Sequence, residues 1–238
     1  MNHIPLIELN NTQKGKTAFV CGMGPSLANY LDRIENKSDN EIVIACNDVD
    51  EMTNIIPDYW VMANSIMDMK SMKNRFEKFQ NCYIVHADSV DTTDRNWIEE
   101  NLQNPYVPYD QRHFNGQKCD QCPNGCLNFI ENRLTIQEIL QNKFNFTKRY
   151  SAGCTVALHM VSLALILGCN KIYIMGVDLN YELGYVDGKT TNSDRLNLAT
   201  ILPDFNTIKD TIVGHNIQIF NTSTTSELIN IFESIYEF

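Results

Sequence analysis

The sequence predicts an α/β protein with a doubly wound, mainly parallel sheet of about six strands, and three observations predict it. Short, nearly continuous apolar or β-branched runs recur along the chain, as strands buried on both faces of a parallel sheet require. Helix-like patterns lie between most of these runs, the alternation that builds βαβ units. Small-residue turns, GMGPS at 22–26 and SAG at 151–153, stand at the starts of two helical patterns.

The elements follow in order. Strands are expected at TAFVC (17–21), EIVIAC (41–46), DYWVMA (58–63), CYIVHA (82–87), KIYIMGV (171–177) and IQIF (217–220). Helices are expected at SLANYLDRIE, IMDMKSMKNRFEKF, DRNWIEENL, TIQEILQNKF, CTVALHMVSLALILG, RLNLATILPDFNTIKDTI and the final SELINIFESIYEF. With helices on both faces this is a Rossmann-like arrangement, read as one domain over 1–238 with a small lid or insertion. Two stretches break the rhythm, 103–133 and 180–194, and are expected as loop insertions near strand ends.

Composition narrows the function classes. With 43% hydrophobic and 20% charged residues the chain can bury a sizeable core. The net charge of -10 is spread along the sequence, which argues against an electrostatic grip on nucleic acid or anionic lipid. The longest apolar segment, TVALHMVSLALILGC, is fifteen residues, short of the ~20 that span a bilayer, and reads as a buried core helix. No secretory signal is visible, and eight cysteines without one suggest a reducing compartment. A cytoplasmic protein without a transmembrane segment is expected; peripheral membrane contact and homo-oligomers are compatible with the sequence.

In open α/β sheets ligands bind outside the carboxyl ends of the strands, so residues just past each strand are the site candidates. After the first strand, Gly22 and Gly24 permit close backbone approach, Pro25 suits a first helical position and Ser26 offers a hydroxyl. The turn reads equally as a phosphate site at a helix start or as a tight corner. It lacks the third glycine of G-x-G-x-x-G and the Lys-Ser/Thr of a P-loop. Asn47, after the second strand, can serve a ribose or base edge. Asp48 and Asp50 form a D-x-D that could hold a divalent cation, although a polar capping turn is the preferred reading. Asn64 follows the third strand. Ser151, Ala152 and Gly153 precede the most apolar helix, where a ligand turn and a structural cap are both open readings. Asp178 follows the strand KIYIM, with Tyr181 and Tyr185 in the loop beyond. His113, Cys119, Cys122 and Cys126 supply four zinc-competent ligands in compressed spacing; free thiols, or one disulfide after oxidation, are the expected state, with structural zinc the alternative.

The set VCGMGPSL, ACN and SAGCTVALHMVSLALILGCNKIYIMGVDLNY, in that order and spacing, resembles the bacterial sialyltransferases of glycosyltransferase family 42. It also resembles their wider relatives, the motility-associated-factor glycosyltransferases and the archaeal 6-hydroxymethylpterin diphosphokinase-like proteins. The likeness spans 17–64 and 147–182. It implies that Gly22, Met23, Gly24, Pro25 and Ser26 lie at the phosphate of a CMP-sugar. It assigns Asn47 to the ribose, Asn64 to the donor pocket, Ser151, Ala152 and Gly153 to the nucleotide and Asp178 to the rim. Tyr185 and Tyr181 would stabilise the departing phosphate, with no metal or other cofactor required. Met23 stands where the sialyltransferases commonly carry asparagine. Their general base is a histidine before the last strand, and His215, in a Gly-His pair before IQIF, is the candidate here; a helix-end histidine is the alternative.

The preferred expectation is therefore a glycosyltransferase joining a nucleotide-activated sugar, CMP-linked and sialic-acid-like, to a glycan or small hydroxylated acceptor. The second is a diphosphokinase using ATP and magnesium, with Asp48, Asp50 or Asp178 as metal ligands. A third is a catalytically silent nucleotide-binding relative.

Overall fold

The computed structural model describes residues 3–62, 72–88, 97, 100–110, 136–141, 155–189 and 198–238. Among these, eight strands form one sheet: β1 (Thr17–Cys21), β2 (Glu41–Cys46), β3 (Tyr59–Met62), β4 (Tyr83–Asp88), β5 (Tyr106–Asp110), β6 (Lys171–Met175), β7 (Gln218–Asn221) and β8 (Glu233–Ser234). Every neighbouring pair is parallel, in the order β5-β4-β3-β2-β1-β6-β7-β8. The chain runs outward from β1 to one edge, returns to β6 on β1's other side, and runs to the opposite edge. The order therefore reverses between β1 and β6, the switch point where such sheets take ligands.

The strands alternate between two apolar layers with the period of two that a pleated strand imposes. Ala18, Val20, Ile42, Ile44, Ile172 and Ile174 face one layer. Phe19, Cys21, Val43, Ala45, Tyr173 and Met175 face the other. On the first side lies α5 (Val156–Ile166), buried from Ala157 to Ile166 and packed on β1, β2, β3 and β6. Its uniformly apolar sequence is what a helix buried all round requires. Thr155 caps it, the hydroxyl accepting the Ala157 N–H at 3.4 Å. Beside it α6 (Leu198–Ile212) contributes Ile201, Phe205 and Ile208. On the second side, the 3-10 turn Pro25–Tyr30 and α1 (Leu31–Glu35) place Leu27, Tyr30 and Ile34 against the sheet. Further along, α3 (Lys73–Lys78) sets Phe76 edge-on to Trp60, ring centroids 5.2 Å apart. Two further short helices lie among the described residues, α2 (Val49–Met52) and α4 (Ile136–Leu140).

The edges are where the structure departs from expectation. β5 falls inside the stretch expected as a loop: Pro108 removes a ladder donor, which an edge strand tolerates. The expected C-terminal helix is instead a 3-10 turn, Glu227–Asn230, followed by β8 on β7. Ser226 caps only that single turn, its hydroxyl accepting Leu228 N–H at 3.2 Å, and Ile231 and Phe232 then turn into the core. The helix expected at SLANYLDRIE begins as 3-10 and becomes α-helical only at Leu31. Most of the helix expected at DRNWIEENL lies outside the described residues.

Cys21, Cys46, Cys82 and Cys169 are buried free thiols. Burial pushes all four up, Cys46 and Cys169 to about 12, so these sulfurs are packing groups and not nucleophiles. No helix among the described residues is long and apolar enough to cross a membrane.

Candidate functional site

At the switch point two turns meet backbone to backbone. Cys21 of β1 pairs with Met175 of β6, and beyond them Gly22 N–H donates to Met175 O at 2.8 Å and Gly24 N–H to Gly176 O at 2.7 Å. A Cβ on Gly22 would strike Gly176 O, and one on Gly24 would strike Asp178 Oδ2. Gly176 itself sits at φ 63°, and a Cβ there would lie 2.8 Å from Gly22 O and Leu27 Cβ. The glycines are required by this close approach.

Asp178 changes the meaning of the turn. Its carboxylate is buried and accepts Ser26 N–H at 3.0 Å, Thr225 Oγ1–H at 3.3 Å and a short bond from Ser223 Oγ–H. Leu27 N–H turns back to Gly24 O at 3.1 Å. The protein's own anion thus takes the Ser26 amide that an empty phosphate cradle would present. What the turn still offers is the side-chain oxygen of Ser26, which is buried without a partner among the described residues. Pro25 opens the 3-10 turn, as its ring favours. Met23 packs against both apolar layers.

Asn47 stands at the end of the neighbouring strand, β2, with φ 46°, a left-handed conformation that asparagine tolerates. Its carbonyl accepts Trp60 Nε1–H at 2.8 Å and Arg75 Nη2–H at 3.4 Å. Its Oδ1, like Ser26 Oγ, is buried and unpartnered among the described residues. Unpartnered buried polar atoms are uncommon and need a reason; these two stand at the ends of adjacent strands.

The D-x-D is occupied. Arg75, on α3, bonds Asp48 Oδ1 at 2.9 Å and Asp50 Oδ2 at 2.9 Å, makes a short bond to Asp50 Oδ1, and lies 3.2 Å from Glu51 Oε1. Burial works against its charge, but Asp50 and Asp48 hold the guanidinium above its ordinary pKa. Its plane lies over Trp60, 5.2 Å from the ring centroid. Among the described residues no cluster of three or more His, Cys, Asp or Glu is arranged to hold a metal ion.

The loop after β6 is hung on the glycine turn: Val186 N–H donates to Met23 O at 2.8 Å, and Tyr185 N–H closes a turn on Lys189 O at 2.8 Å. Tyr185 is therefore carried beside the turn, half-buried. Tyr181 begins the 3-10 turn Tyr181–Leu183. Asn64, Ser151, Ala152, Gly153 and the cluster His113, Cys119, Cys122 and Cys126 lie outside the described residues.

His215 lies apart from the glycine turn. Gly214, at φ 82°, ends α6, and exposed His215 closes its N–H on Ile212 O at 3.0 Å just before β7 begins. That is the amino end of β7, whose first residue Gln218 pairs with Lys171, the first of β6. The glycine turn follows the carboxyl ends, so the two lie at opposite rims of the sheet. His215→Ala is expected to shift stability by no more than about 0.5 kcal/mol and to leave turnover unchanged. A rate loss of about two orders or more, the signature of a lost general base, would return it to the site.

Two groups went unrecognised in the sequence. Arg75 carries no motif. The hydroxyl run Thr222-Ser223-Thr224-Thr225-Ser226 was legible as a polar run straight after IQIFN, at the carboxyl end of the strand beside β6. Besides the bonds to Asp178, Thr222 Oγ1–H donates to Ile174 O at 3.0 Å and Ser226 Oγ–H to Val177 O at 2.7 Å.

Comparison with known proteins agrees with this architecture. The model of a family described as 6-hydroxymethylpterin diphosphokinase MptE-like matches residues 1–184. Among solved structures, the MAf glycosyltransferase from Magnetospirillum magneticum AMB-1 superposes with a TM-score of 0.58 at 17% identity, over 97% of this chain and 37% of its own. The chain thus spans little more than a third of that protein. The sialyltransferase CstII from Campylobacter jejuni, solved in complex with a substrate analogue, cytidine-5'-monophosphate, superposes with a TM-score of 0.50 at 15% identity, over 93% of this chain and 85% of its own. No curated protein matches the sequence.

Proposed function

The chain belongs to the 6-hydroxymethylpterin diphosphokinase MptE-like family, and from that premise we propose that it is a nucleotide-dependent transferase working at the carboxyl ends of β1, β2 and β6. The observation that carries the reading is the pair of buried, unpartnered oxygens, Ser26 Oγ and Asn47 Oδ1, at the ends of adjacent strands. They suit a nucleotide whose phosphate accepts from the serine and whose ribose donates to the asparagine.

The preferred reaction is glycosyl transfer from a CMP-activated, sialic-acid-like sugar. An acceptor hydroxyl attacks the anomeric carbon, the bond from that carbon to the phosphate oxygen breaks, the phosphate leaves with the electron pair, and the hydroxyl's proton passes to the departing phosphate or to water. Ser26 and Tyr185 donate to its oxygens as charge develops. The engagement of Asp48 and Asp50 by Arg75 favours this metal-free route. The family description favours the second reading, diphosphoryl transfer from ATP with magnesium. There the metal would have to displace Arg75 from Asp48 and Asp50, or the donors from Asp178.

Thermal melting with CMP, CDP, UDP, ATP plus magnesium and NAD separates the two. A ligand at 100 times its Kd stabilises by about 2.7 kcal/mol, which at this chain length raises the Tm by about 5–10 °C. CMP is expected to do so without metal. A rise seen only with ATP and magnesium transfers the assignment to the diphosphokinase. No rise with any nucleotide overturns both.

A further inference from the structure

We propose that Ser223 is a positioning residue: acting through Asp178, it fixes the Ser26 hydroxyl for contact with the ligand's phosphate. This rests on the nucleotide reading above. Ser223 is buried, 1% exposed, and its Oγ lies 3.1 Å from Thr225 Oγ1 as well as within hydrogen-bond reach of Asp178. Its Oγ accepts Thr225 N–H at 3.2 Å and donates to Asp178 Oδ1. Its backbone is pinned by Asn221, whose Oδ1 accepts Ser223 N–H at 3.3 Å and whose Nδ2–H donates to Ser223 O at 2.7 Å. Thr225 adds a second hydroxyl on Oδ1 at 3.3 Å.

A carboxylate is planar, so fixing Oδ1 from β7 fixes Oδ2 toward the glycine turn. There Oδ2 takes Ser26 N–H at 3.0 Å, setting the backbone from which the unpartnered Ser26 Oγ projects. The loop after β7 thereby governs a hydroxyl on β1's turn. A purely structural bond would affect every ligand equally. A positioning bond affects only the contact made by Ser26.

The test measures Kd by calorimetry on the full chain for CMP against cytidine and ADP against adenosine, in wild type, Ser223→Ala, Ser223→Thr, Ser26→Ala and the double alanine variant. Ser223→Ala is expected to weaken the binding nucleotide about tenfold, the scale of one hydrogen bond to a charged group. The matching nucleoside should be unmoved, and Ser223→Thr should restore affinity. In the Ser26→Ala background the same change should cost less than about twofold. Equal weakening of nucleotide and nucleoside, or full additivity in the double variant, overturns the positioning role while leaving the nucleotide reading intact. A wild type that binds neither nucleotide overturns that reading, and this proposal with it. Should Ser223→Ala not fold, Thr225→Val removes the longer bond to Asp178 together with the contact to Ser223 Oγ and is expected to weaken nucleotide alone, by about threefold; nucleoside weakened to the same degree counts against the role.

Discussion

Gly24→Ala is expected to lower the stability of the protein by about 3 kcal/mol, a fall in Tm of about 6–12 °C, and to abolish nucleotide binding. The backbone is not the obstacle, since Gly24 has φ -71° and ψ 159°, which alanine adopts freely. The obstacle is space: the added carbon would collide with Asp178 Oδ2, and Gly176 O would lie 2.8 Å away. Neither partner can yield cheaply. Gly176 is held by the β1 turn, and a displaced Asp178 would lose donors while remaining buried. Gly188→Ala is the control, because its φ is +80° but nothing lies within 4 Å of the added carbon. It should cost only the left-handed penalty, about 1 kcal/mol, with binding retained. Denaturant melts and nucleotide titration check both. If Gly24→Ala melts with the wild type, the packed glycine seam is not what holds the turn.

Arg75→Met is expected to cost about 3 kcal/mol, most of it from Asp50. The methionine keeps an apolar stem over Trp60 and removes only the fork. The Asp50 side chain is 7% exposed and would be left buried without its guanidinium partner. Asp48 and Glu51 are 40% and 61% exposed, so their pairs add little once solvent screens them. The double variant Arg75→Met/Asp50→Asn should recover most of the loss, since removing both partners leaves no stranded charge. A second readout follows from the bond to the Asn47 carbonyl: the single variant should also weaken nucleotide binding. An unchanged Tm would show that the acidic turn stands without its arginine.

Whatever is coded within a few residues could be read directly. The buried strands, the apolar α5 and the small residues at GMGPS and GVD announce themselves, because a strand end next to glycines is a local pattern. So does Asn47, an amide where a strand stops. What could not be read depends on strand order. Asp178 meets Ser26 across 152 residues, and nothing in GVD says that its carboxylate will fill the neighbouring turn. Arg75 reaches Asp50 over 25 residues from a helix, KNRFEK, in which nothing marks it as a partner for the acidic turn. His215 shows the limit most plainly: a Gly-His pair beside a strand looks the same at either end, and only the fold reveals that this one is at the far rim. β5 and β8 were missed because edge strands carry weak signals, one containing a proline and the other two residues long.

The junction of β1 with β6 also bears on how the chain is made. β1 lies at the centre of the sheet, yet one of its two partners is encoded about 150 residues later. At ribosomal speeds the wait is roughly 8 to 30 s. Throughout it a nascent half-sheet, β1 to β5, must keep an apolar inner edge unpaired, the kind of edge that invites association between chains. Closing so long a loop is also slow on its own. Both halves of the glycine seam and the Asp178 bridge come into being only when β6 docks. Nucleotide capture during refolding should therefore lag behind the return of secondary structure, making ligand binding a clock for the last step of assembly.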